Sequence, residues 1–122
     1  MTTFQSLALH KTLEATLKRQ NFNTPTPVQI QAIPPALAGK DVLACAQTGT
    51  GKTAAFTLPT LHHLLKDTRK DKPKSPQALV LTPTRELADQ VMKNMKQFAE
   101  NTGLKTGMVV GGAPYPPQIR ML

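Results

Sequence analysis

At 122 residues the chain has the length of one small domain, enough to bury a core and none to spare for a second. Its 15 lysines and arginines against 7 aspartates and glutamates leave a net charge of +8. That excess favours a polyanionic partner, nucleic acid ahead of a membrane, because no stretch forms a long basic amphipathic face. Cys45 is the one cysteine, which excludes an intrachain disulfide and fits a reducing compartment. No apolar run approaches the roughly 20 residues of a membrane span and the N-terminus lacks a signal-peptide apolar region, so a cytoplasmic protein is expected.

After Phe4, residues Leu9, Leu13 and Leu17 recur at every fourth position, with Lys11, Glu14, Lys18 and Arg19 between them. This spacing predicts an amphipathic helix from near Ser6 to about Asn21. Residues 22–29 read Phe-Asn-Thr-Pro-Thr-Pro-Val-Gln. Thr26 is a favoured N-cap there, and Pro27 suits the first helical position, where a missing N–H costs no intrahelical bond. A second helix is predicted to about Ala38, bent or weakened by Pro34 and Pro35 and stopped by Gly39.

The apolar run Val42 to Ala46 leads through a glycine-containing turn into Lys52-Thr53 and a helix-favouring segment. Strand, loop and helix in that order make a phosphate-binding loop. In this reading Ala46, Gln47, Thr48, Gly49, Thr50 and Gly51 wrap the phosphates of a nucleotide. Gly49 and Gly51 have no side chain to keep successive N–H groups from turning inward, and the following helix N-terminus adds unpaired donors and partial positive charge. Lys52 is expected to reach the β/γ-phosphates and the Thr53 hydroxyl to complete the coordination of a Mg²⁺ between them. The general pattern opens with glycine, whereas this loop opens with Ala46. Cys45, among apolar neighbours, reads as a buried strand residue rather than a nucleophile.

Downstream, Ala54 to Lys66 is predicted helical, with Leu58, Leu61 and Leu65 on one side and a kink at Pro59. His62 and His63 have no cysteine or carboxylate at metal-ligand spacing and read as surface or half-buried side chains. Lys66 to Lys74 reads as a solvated loop. Ala78 to Leu81 is a short apolar strand, and Leu87, Val91, Met95 and Phe98 mark the buried face of a helix that stops near Gly103. Met108 to Val110 is a third strand, closed by Gly111-Gly112. Strands alternating with helices argue for an α/β fold with a parallel sheet.

Two further constellations carry chemistry. The Gln29 amide offers a donor and an acceptor side by side, the arrangement that pairs with adenine N6 and N7, yet Thr26 and Gln29 also form the Thr-x-x-Gln pattern of a capping box. Both readings stand, as they do for Phe4, an apolar staple or a ring to stack on a base. Arg85 sits in the first turn of a helix, where a cation opposes the macrodipole unless something anionic is near. A nucleic-acid phosphate would satisfy both, and so would a neighbouring carboxylate or solvent. Gly111-Gly112 either admits a sugar–phosphate backbone or ends a strand.

Phe4, residues 22–29, Ala46 to Thr53, Pro83-Thr84-Arg85-Glu86-Leu87-Ala88 and Gly111-Gly112 occur in an order and at separations that resemble a DEAD-box ATP-dependent RNA helicase of bacterial type, over essentially the whole chain. The resemblance accounts for Ala46, since that family's loop is similar to Ala-x-Thr-Gly-x-Gly-Lys-Thr. It implies a P-loop NTPase fold, a RecA-like parallel sheet flanked by helices, incomplete in this chain. Residues 1–39 would be the adenine-recognition helices and Q-motif, and residues 40–122 the phosphate loop with the segments at Pro83 and Gly111. By this resemblance Gln29 reads adenine and Phe4 stacks on it, while Pro83, Thr84, Arg85, Gly111 and Gly112 meet single-stranded or structured RNA. Asn21 departs from the family's usual glycine before Phe22.

No Asp-Glu-Ala-Asp or Ser-Ala-Thr element follows in these residues, nor a second RecA-like domain, so the chain is expected to be the N-terminal part of the first such domain. ATP and Mg²⁺ binding without turnover is expected of it alone. A truncated, non-catalytic nucleotide- or RNA-binding module is the alternative. A P-loop kinase or GTPase would leave Gln29 and Thr84-Arg85 unexplained.

Overall fold

The computed structural model describes residues 3–47, 49, 51–67, 76–112 and 114–121. Among them a 3₁₀ turn, Gln5–Leu7, precedes five helices: α1 (Lys11–Arg19), α2 (Pro27–Leu37), α3 (Lys52–Lys66), α4 (Arg85–Phe98) and α5 (Tyr115–Met121).

The first amphipathic stripe forms a helix, but later than its spacing predicts. Ala8 takes a left-handed conformation (φ 58°) and ends the 3₁₀ turn, so α1 starts only at Lys11, behind His10 as its N-cap. At the other end Asn21 is also left-handed (φ 63°). The Phe22 N–H donates to the Leu17 carbonyl at 2.8 Å and the Asn21 N–H to the Lys18 carbonyl at 3.2 Å, the paired bonds of a Schellman motif. That conformation explains the residue at position 21: glycine adopts it freely, and asparagine tolerates it better than most side chains.

Helix α2 begins and ends where its signals predict, with Pro27 in its first turn, Pro34 and Pro35 inside it and Ala38 as C-cap before Gly39. It packs most extensively on α3. Helix α3 starts at Lys52 rather than Ala54 and runs through the buried Pro59, with Leu58 and Leu61 fully or almost fully buried and Leu65 partly so. Helix α4 ends at Phe98, short of Gly103. Val91 and Phe98 are buried, Met95 is half-buried and Leu87 is exposed, so the inward stripe is narrower than predicted.

The core joins Leu13 and Leu17 of α1, Ile33 of α2, Leu58 and Leu61 of α3 and Phe98 of α4. At about 1.5–3 kcal/mol for each fully buried large apolar side chain, these contacts are what hold the helices together. Phe22 bridges two core rings, edge-on to Phe4 (6.5 Å between centroids) and to Phe98 (5.5 Å).

The sheet is where expectation and structure part. Among the described residues none lies in a strand: Val42 to Ala46, Ala78 to Leu81 and Met108 to Val110 carry no ladder. Leu43 is 96% exposed and Leu79 81%. A parallel strand takes its hydrogen bonds and both covered faces from elements distant in sequence, so apolar character alone does not make one. Cys45 is accordingly exposed, not buried as its neighbours suggest. Most of the segment from Lys66 to Lys74 lies outside the described residues.

Helix α5 has no counterpart among the predicted elements. Pro116 and Pro117 fall in its first turn, where prolines are tolerated because those N–H groups have no intrahelical acceptor. No helix among the described residues is long and apolar enough to cross a membrane.

Candidate functional site

The capping-box and adenine-reader alternatives for Gln29 meet in one side chain. Gln29 is 5% exposed, and its Oε1 accepts the Thr26 N–H at 2.9 Å, which closes the capping box at the start of α2. Its Nε2 donates to the Gly51 carbonyl at 3.1 Å, 22 residues along the chain. One amide therefore fastens the phosphate-loop segment to α2. An amide has two lone pairs and two N–H hydrogens, so one of each remains uncommitted.

Gly51 precedes α3 with φ 84°, in the left-handed region, and Gly49 has φ 82°. A Cβ added to Gly51 would lie 2.3 Å from Gln29 Nε2 and 3.2 Å from Thr26 Oγ1, whereas one added to Gly49 would meet nothing. Gly51 is thus needed for both conformation and space, Gly49 for conformation alone. Thr26 Oγ1 is buried beside this junction, turned to the first turn of α2 as the other half of the capping box. A left-handed glycine cradle that a Cβ would fill suits the close approach of a polar ligand at the loop.

Lys52 is exposed in the first turn of α3, Thr53 follows it half-buried, Ala46 is half-buried and Gln47 exposed. Thr48 and Thr50 lie outside the described residues. Phe4 is 4% exposed, with its ring against Phe22, so the staple role is the one its packing serves in this arrangement.

The second group of site residues gathers around the start of α4. Thr84 is its N-cap and accepts the Leu87 N–H at 3.1 Å. Pro83 and Arg85 are exposed, and no ion pair to Arg85 occurs among the described residues. Its Nη1 lies 3.6 Å from where a Cβ on Gly112 would stand, so the guanidinium and the glycine turn, far apart in sequence, share one surface. Gly111, exposed as well, completes that turn. Gln118 of α5, absent from the sequence reading, steadies it: its Oε1 accepts the Val110 N–H at 2.7 Å. No linear pattern links positions 110 and 118, though a proline pair at a helix start was a readable hint for α5.

The histidines are structural. His62 is buried, deeper than its sequence context suggests, and its Nδ1 accepts the His10 N–H at 2.9 Å. Burial above all, then the charges of Lys66, His63 and His10, hold its imidazole below the ordinary range.

The DEAD/DEAH box helicase family model matches residues 26–122. The chain is 50% identical over 115 residues to the ATP-dependent RNA helicase SrmB of Escherichia coli (strain K12), covering 94% of this chain and 26% of that protein. It is 41% identical over 119 residues to the ATP-dependent RNA helicase RhlB of Histophilus somni (strain 129Pt), covering 98% and 28%. Among solved structures it superposes on the RNA helicase Prp28 from Chaetomium thermophilum bound to ADP with a TM-score of 0.86 at 37% identity, covering 98% of this chain and 29% of that one. A DEAD box protein from Methanococcus jannaschii gives 0.85 at 33% identity, covering 100% and 32%. The chain spans about a quarter to a third of the length of these relatives, and the solved structures match it through RecA-like domains. On this match the chain belongs to the DEAD/DEAH box helicase family.

Proposed function

We propose that this chain is the nucleotide-binding and RNA-contacting portion of an ATP-dependent RNA helicase. Residues 1–39 would read the base and residues 40–122 hold the phosphates and the RNA backbone. In the whole protein, ATP binding and hydrolysis would be coupled to the separation of RNA strands. The observation that carries this reading is the Gln29 amide, bonded to Thr26 on one side and Gly51 on the other. In this reading a base-reading group would touch the phosphate loop, so that one ligand could be gripped at both ends.

The remaining lone pair of Gln29 Oε1 and the remaining N–H of Nε2 match adenine N6 and N7. Lys52, a mobile point charge at a helix N-terminus, would bind the β/γ-phosphates. Thr53, one residue on, would offer its hydroxyl to a Mg²⁺, which when bound neutralises charge between the phosphate oxygens. Arg85 and Gly112 would receive an RNA phosphate: the guanidinium supplies charge and the glycine turn allows close approach. Glu86 and Asp89 lie on α4, and Asp89 pairs with Lys93 at 3.0 Å, so neither acts as a hydrolytic base at the loop in this reading.

The test is RNA-stimulated ATP hydrolysis by the whole protein, in which Lys52→Ala is expected to lower the rate about 100-fold or more. Unchanged activity would falsify the assignment. For the 122-residue chain, titration with a fluorescent ATP analogue should show binding without turnover. Gln29→Glu keeps a capping acceptor but removes both the N–H that adenine N7 needs and the one bonded to the Gly51 carbonyl, and should weaken nucleotide binding as well as erase the preference for ATP over GTP. Equal affinity for the two nucleotides in the unmodified chain would point instead to the kinase or GTPase reading.

A further inference from the structure

All three histidines of the sequence meet where the entry to α1, the end of α2 and the last turns of α3 converge. His62 Nδ1 accepts the His10 N–H across 52 residues of sequence. His63, its ring edge-on to His62 with centroids 5.6 Å apart, donates from Nε2 to the Ala36 carbonyl at 2.9 Å. His10 turns its own Nδ1 back onto the Thr12 N–H at 3.2 Å as the N-cap of α1.

The two adjacent histidines use opposite chemistry. A histidine that donates keeps its bond in either protonation state, and His63 does so at the C-terminal end of α2, where positive charge is welcome. A histidine that accepts at Nδ1 loses its bond when that lone pair takes a proton. We propose that His62 is a proton-released latch between the α1 entry and α3, closed while its Nδ1 is bare and opened by mild acid.

In the closed state the tautomer is set, with hydrogen on Nε2 and none on Nδ1. A proton on Nδ1 would place two N–H groups face to face at a helix start whose field is already positive. The charged and titratable groups that face His62 are Lys66 and His63 on its own helix and His10 at the α1 entry. Helix α2 carries no titratable side chain, and none on α4 biases the ring. With no carboxylate among these groups to welcome the proton, the latch stays shut at neutral pH. Opening loosens the α1 entry at His10 from α3, while the buried contacts of Phe4, Leu7 and Leu9, the His63 bond and the α2 to α3 packing remain. The latch stands whether or not the nucleotide assignment is right.

Nitrogen-resolved NMR of the 122-residue chain tests it. At about pH 7.5 the His62 ring is expected as the Nε2–H tautomer, with the His10 amide protected from exchange. On going to about pH 5.5, the protection factor of that amide, corrected for intrinsic exchange, should fall severalfold and at most about tenfold, the limit set by one pH unit below the ordinary histidine value, while amides in the middle of α4 keep theirs. His62→Asn presents a non-titrating oxygen near the place of Nδ1 and should abolish the acid-dependent loss. His10→Asn keeps the cap without titrating and should preserve it. An Nδ1–H or charged His62 ring at the higher pH, measured on the unmodified chain, would overturn the proposal. So would an undiminished acid loss in His62→Asn, or a loss removed only by His10→Asn.

Discussion

Leu58 and Leu79 are the same side chain in opposite circumstances, one with no exposed surface in the middle of α3 and the other 81% exposed in an extended segment. The contrast runs through the molecule. Helices α1 to α4 meet around Phe4, Phe22 and Phe98, while the three segments expected as strands run unpaired with Leu43, Leu79, Leu81 and Val109 exposed. A helix makes its backbone bonds internally, so one apolar stripe meeting another is enough to close a core. A strand makes none of its own, and its burial waits on neighbours on both edges and both faces. The nucleotide loop lies at the boundary of the two regimes, held from the helical side by Gln29.

The sharpest way to test this contrast is to truncate a side chain on each side of it. Phe98→Ala should cost about 3–5 kcal/mol and Leu58→Ala about 2–5 kcal/mol in urea unfolding, since each removes fully buried surface and leaves a cavity. At the boundary, Gly51→Ala should cost about 2–4 kcal/mol, combining a left-handed φ with the loss of the Gln29 bond. Gly49→Ala should cost only the backbone strain, about 1–2 kcal/mol, because a Cβ there meets nothing. Equal effects at the two glycines would mean that the Gln29 contact does not hold the loop. Thr84→Ala removes the cap of α4 and should cost about 1 kcal/mol, with Thr84→Ser restoring most of it.

A shallower effect is expected from pH. The folded chain holds His62 below its ordinary value, so between about pH 6.5 and that lower value the unfolded chain binds the extra proton. Stability from this group is complete above about pH 6.5 and declines as pH falls through the folded value, which thermal melts of wild type against His62→Asn should reveal. Smallest of all, Leu79→Ala should change stability by less than about 0.5 kcal/mol. A loss as large as that of Leu58→Ala would show that the extended segments are covered in solution.

The local signals were legible wherever the chain supplied both partners within a turn or two. Thr26, Pro27 and Gln29 announced the start of α2, and Leu13 with Leu17 announced the inward face of α1. The helix start at Lys11 was not legible, because it depends on Ala8 turning left-handed and on His62 meeting the His10 N–H from 52 residues away. Among the candidate site residues, Lys52 and Thr53 stand out in the sequence by their spacing from Gly49 and Gly51, and Arg85 by its place in the first turn of a helix. That Gly112 would lie beside Arg85, and that Gln118 would hold Val110, could not.

By itself the sequence determined that α1 to α4 are helices, the Thr26 cap of α2 and the pattern of the phosphate loop, because these follow from backbone bonds and side chains a few residues apart. Only the tertiary structure decided that one amide serves both the α2 cap and the Gly51 carbonyl, that Cys45 is exposed, and that three apolar segments stay unpaired. Each of these is set by which distant groups arrive to bond or to cover, and a linear pattern of residues carries no record of that.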